Sequence, residues 1–137
     1  MECALYETLL PPPSTVHTGY VDVFVARLRK QSPNIQVVNY GCPGESIVTF
    51  VRGGCDWLKG GGRLHDAFHG SQLKAAQSFL QAHPGEVNPI TVTLWGGDLV
   101  PLSAKGKRAK RSIASFAKRF ASILTELRAA GRPLTSS

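Results

Sequence analysis

The sequence predicts an α/β fold, and three observations carry that reading. Ile35-Gln36-Val37-Val38 is a short, apolar, largely β-branched run leading into the turn Asn39-Tyr40-Gly41-Cys42-Pro43-Gly44. Ile90-Thr91-Val92-Thr93-Leu94-Trp95 repeats the form and ends in Gly96-Gly97-Asp98. Around and between these runs, apolar residues recur at helical spacing. Two strands joined by helices form a βαβ unit, right-handed and parallel. Both faces of such a sheet want cover, which the helical stretches supply. With two strands the sheet is short, and its open edges invite pairing with a second copy of the chain.

In chain order, residues 1–18 have no clean period, and Pro11-Pro12-Pro13 makes an extended piece, so an irregular arm is expected. From Gly19 to Lys30, Val21, Phe24, Val25 and Leu28 mark an amphipathic helix, which Ser32-Pro33-Asn34 breaks. The strand over 35–40 follows, then the glycine-rich turn, then a short helix over about 46–52. Gly53-Gly54 and Gly60-Gly61-Gly62 punctuate a loop running to Arg63. Gly70-Ser71 caps a helix carrying Leu73, Ala76, Phe79 and Leu80, which His83-Pro84-Gly85 ends. After the second strand comes the clearest element, a long helix striped by Ile113, Phe116, Ala117, Phe120, Ile123, Leu124 and Leu127. Residues 132–137 form a polar tail, and no internal repeat or linker divides residues 1–137, which read as a single domain.

The bulk properties set limits. A chain of 137 residues, 42% apolar and 18% charged, suits one folded domain and not a disordered segment. No apolar run approaches the roughly 20 residues of a membrane helix. The first residues include Glu2 and Glu7 and no basic region, unlike a secretory signal. As written, the chain is expected in the cytoplasm, with secretion of a longer parent left open. The net charge of +7 is concentrated in Lys105, Lys107, Arg108, Lys110 and Arg111, followed by Lys118 and Arg119. An anionic partner and a simply solvated helix entrance both fit it. Aromatic interleaving and a nucleic-acid motif are lacking, so nucleic acid is not the expected partner. Among Cys3, Cys42 and Cys55, the last two can close a short disulfide loop or remain free buried thiols.

Gly19-Tyr20-Val21-Asp22, Asn39 to Ser46, and Leu94-Trp95-Gly96-Gly97-Asp98 together resemble the middle of the SGNH (GDSL-type) hydrolases. The resemblance covers roughly residues 19–130. It implies a flavodoxin-like three-layer α/β/α sandwich and a serine esterase or lipase without cofactor or metal. By position, Gly41 matches the family's second-block glycine, and Asp98 the acid of its Gly-x-Asn-Asp block. Gly97 stands where that block has asparagine, and Trp95 where it has its first glycine. The family's Gly-Asp-Ser has no counterpart before Gly19, and its Asp-x-x-His none after Asp98. The chain thus looks like a family member without its first strand and last third.

A serine esterase needs a nucleophile, a base and donors for an oxyanion. Backbone N–H groups near Gly41, Gly96 and Gly97 are the candidate donors. Ser46 is the candidate nucleophile, five residues beyond Gly41, although it also reads as a helix N-cap. His65 and His69, at i and i+4 around Asp66, share one face if that stretch is helical, and Asp66 or Asp98 can orient the base. They also read as two surface histidines on a loop. The Cys and His spacing fits no standard zinc module. The implied activity is cleavage of short acyl esters, with a small-molecule ester as partner. The alternative is an inactive scaffold used for binding or self-assembly.

Overall fold

Residues 20–94 and 106–132 are described by the computed structural model of the chain. Five helices lie among them: α1 (Tyr20–Gln31), α2 (Ile47–Arg52), α3 (Asp56–Lys59), α4 (Gln72–Ala82) and α5 (Lys107–Ala130). No strand occurs among the described residues, which overturns the expected α/β/α sandwich and its parallel sheet. The two candidate strands show why. Ile35 and Val37 are half-buried while Gln36 and Val38 are exposed; Val92 and Leu94 are covered while Thr91 and Thr93 are exposed. Exposure thus alternates over 35–38 and 91–94, although Ile90 before the second run is exposed as well. A strand also needs a neighbouring ladder for its N–H and C=O groups, and periodicity says nothing about whether one exists. Self-association through sheet edges loses its basis with the sheet.

The chain divides into two compact units, residues 1–44 with 55–67, and residues 45–54 with 68–137. In the first, α1 carries Asp22 in its first turn and Arg29 and Lys30 in its last, the order the helix macrodipole favours. The Ser32 N–H donates to the Leu28 carbonyl at 2.8 Å and Ile35 N–H to Ser32 at 3.1 Å, so the chain turns at Pro33. Of the α1 stripe, Val25 is buried, Val21 and Leu28 are half-buried, and Phe24 is exposed. The short helix α3 falls in the stretch expected to be loop. Its Trp57 indole donates to the Arg63 carbonyl at 3.1 Å. A Cβ on Gly62 would lie 2.2 Å from the Trp57 Nε1, so only glycine leaves room for that ring.

In the second unit α2, α4 and α5 pack against one another. Its buried apolar residues are Ile47, Phe50, Leu73, Leu80, Leu94, Ile123 and Leu127. Ser71 caps α4 by accepting from the Lys74 N–H at 3.2 Å, as the sequence indicates. Gln77 donates to Glu126 at 3.2 Å, tying α4 to the second half of α5. Gly53 ends α2 at φ +93°, and a Cβ there would approach the Gly70 carbonyl to 2.8 Å. Helix lengths decide the rest. At ~1.5 Å per residue, α4 spans ~16 Å and α5 ~36 Å. The longer helix outruns its neighbour. Ile123 and Leu127 are buried, whereas Ile113 is 58% exposed.

Candidate functional site

The turn after residue 38 is organised by Asn39. Its side-chain oxygen accepts from the Gly41 N–H at 2.9 Å, the local turn that asparagine makes with backbone two residues on. Its backbone N–H donates to Asp66 Oδ2 at 2.7 Å, and its carbonyl accepts from the Asp66 N–H at 3.1 Å. The same Asp66 Oδ2 lies 2.9 Å from His65 Nδ1. A carboxylate fixed by the backbone therefore orients an imidazole whose side chain is 61% exposed. Cys42 and Cys55 are joined as a disulfide, with Cα atoms 6.1 Å apart, which links the two segments of the first unit. Of the two states open to these cysteines, the bonded one is present, and neither sulfur remains a thiolate for a metal.

The expected catalytic residues fall as follows. Residues 63–70 are irregular, so His65 and His69 do not share a helix face. Gly60-Gly61-Gly62 on one side and Gly70 on the other favour turns, and no apolar stripe at helical spacing supports a helix between them. His69 is exposed and belongs to the second unit, whereas His65 belongs to the first. The Gly41 N–H, the expected oxyanion donor, is committed to Asn39. Asp98, Gly96 and Gly97 lie outside the described residues.

Ser46 is the N-cap of α2. Its Oγ accepts from the Thr49 N–H at 3.1 Å, while Thr49 Oγ1 accepts from the Ser46 N–H at 3.0 Å. The two hydroxyls also lie 2.9 Å apart. This is a reciprocal capping box with threonine in the place usual for Glu or Gln. The hydroxyl is thus held by its own helix.

A second candidate surface lies on α5. Gly106 precedes the helix without a side-chain cap, and no acid occupies the first turn. Lys107, Arg108, Lys110 and Arg111 are all exposed there, as are Lys118 and Arg119 further on. Positive charge at a helix start disfavours the helix by about 0.3–1 kcal/mol per charge. On the other face, Phe116 and Phe120 are half-buried, with rings stacked 5.9 Å apart, and Ile113 is exposed. The sequence showed both the cations and the stripe. Only the structure shows that Ile113 is exposed beside the cations while Phe116 and Phe120 are half-buried.

The chain matches no protein-family model, no curated protein and no solved structure. The likeness to SGNH hydrolases rests on the motif residues alone.

Proposed function

We propose that the chain is a non-catalytic binding module whose contact surface is the first half of α5. The observation that carries this reading is the exposed Ile113 on a stretch of α5, residues 107–120, that bears six exposed cations. A charge arrangement that works against the helix, beside an exposed isoleucine and two half-buried phenylalanines, is the kind of local conflict found at functional surfaces. Two findings weigh against the esterase reading: the Ser46 hydroxyl serves its capping box, and the Gly41 N–H serves Asn39. The disulfide supports an oxidising compartment over the cytoplasm. Among the described residues no helix is long and apolar enough to cross a membrane.

One observation favours a second reading, an ester hydrolase acting on short acyl esters. His65 paired with an anchored Asp66 has the form of a base with its orienter. Labelling with a fluorophosphonate probe, followed by peptide mapping and a p-nitrophenyl ester assay, separates the two. The binding-module reading expects no labelled serine and an intact ester. A stoichiometric adduct on Ser46, lost on heat denaturation, would sink it and establish the hydrolase.

A further inference from the structure

We infer that the first half of α5 docks the protein in the plane of an anionic lipid surface. This names the partner of the binding module proposed above and rests on that reading. At 3.6 residues per turn, Ala109, Ile113, Phe116 and Phe120 fall within an arc of about 60°. Lys107, Arg111 and Lys118 lie opposite that arc. Arg108 and Arg119 flank it on one side and Lys110 on the other. No Asp or Glu interrupts the sequence from Lys107 to Thr125.

Charge and apolar surface together select the partner. Nucleic acid phosphates would take up the cations but offer nothing to Ile113, Phe116 and Phe120. An apolar groove on a protein would take the stripe and leave the cations unmatched. An anionic lipid surface takes both: the exposed Ile113 and the uncovered parts of the half-buried Phe116 and Phe120 enter the acyl boundary while Lys and Arg extend their stems and keep their charges at the headgroups. Anionic headgroups also offset the repulsion among cations gathered at a helix start. The helix lies in the interface and does not cross it, in keeping with its charge content.

The test is flotation of the full chain with phosphatidylcholine vesicles, with and without phosphatidylglycerol. Binding is expected on the anionic vesicles alone and weakens as salt is raised. Replacing Lys110 or Arg111 by Gln should weaken it about fivefold each. Ile113→Asp should weaken it about tenfold or more, with helix content by circular dichroism unchanged. Should that variant lose helix content, Ile113→Ser takes its place with the same expectation. Absence of binding, equal binding to neutral vesicles, or full affinity in the Ile113 variant overturns the proposal. Tight oligonucleotide binding that ignores Ile113 overturns it in favour of a nucleic-acid partner. The fluorophosphonate result is read separately. Unlabelled serines with no vesicle binding remove lipid docking alone, and a labelled serine removes the binding-module reading itself.

Discussion

The two halves of α5 carry one pattern and meet two fates. Ile113, Phe116 and Phe120 continue into Ile123, Leu124 and Leu127 as a single stripe. The second half buries Ile123 and Leu127 against its unit, and Gln77 reaches across to Glu126. The first half leaves Ile113 exposed and surrounds it with cations. An amphipathic stripe states that a face needs cover. It does not state what covers it, or whether this chain does. At Ile123 and Leu127 the stripe is core, at Phe116 and Phe120 it is half-buried, and at Ile113 it is surface.

The comparison predicts unequal responses to equal changes. The largest is expected at Ile123→Ala, which opens a cavity at a residue 2% exposed and should destabilise the second unit by about 2–5 kcal/mol in urea titration. A loss below about 1 kcal/mol there would show that the second half is no better covered than the first. Next comes Arg108→Glu, which places an acid in a first turn that has none. It should stabilise the helix by about 0.3–1 kcal/mol, read by thermal melting at low salt, while weakening vesicle binding. A protein stabilised by losing its charge would show that the cations are kept for something other than folding. The smallest effect is expected at Ile113→Ser, within about 0.5 kcal/mol of the parent by the same titration. A loss comparable to that at Ile123 would mean that Ile113 is packed in solution, and the two halves would no longer differ.

The parts legible in the sequence were those set by neighbours along the chain. Ser46 and Ser71 announce α2 and α4 because an N-cap acts within three residues. Pro33 stops α1 because it has no N–H to donate. The pairing of His65 with Asp66 joins adjacent residues and was within reach of sequence reasoning. The arrangement of His65 and His69 was open between a shared helix face and two histidines on a loop; the stretch is irregular and both are exposed, because spacing alone does not make a helix among glycines. The role of Ser46 was open between cap and nucleophile. The cap is present, and its signal was Thr49 three residues on. The α3 turn was missed because four residues between glycines give no period to read.

By itself the sequence determined the helical faces, the cap positions and the cationic start of α5. These follow from torsional preferences and contacts within a few residues. Only the tertiary structure decided that the two candidate strands form no ladder, that Cys42 meets Cys55, and that Ile123 is buried while Ile113 is exposed. Each depends on residues distant in sequence coming together. The free energy of such an encounter is set by chain closure and by the partner found, and a local pattern encodes neither.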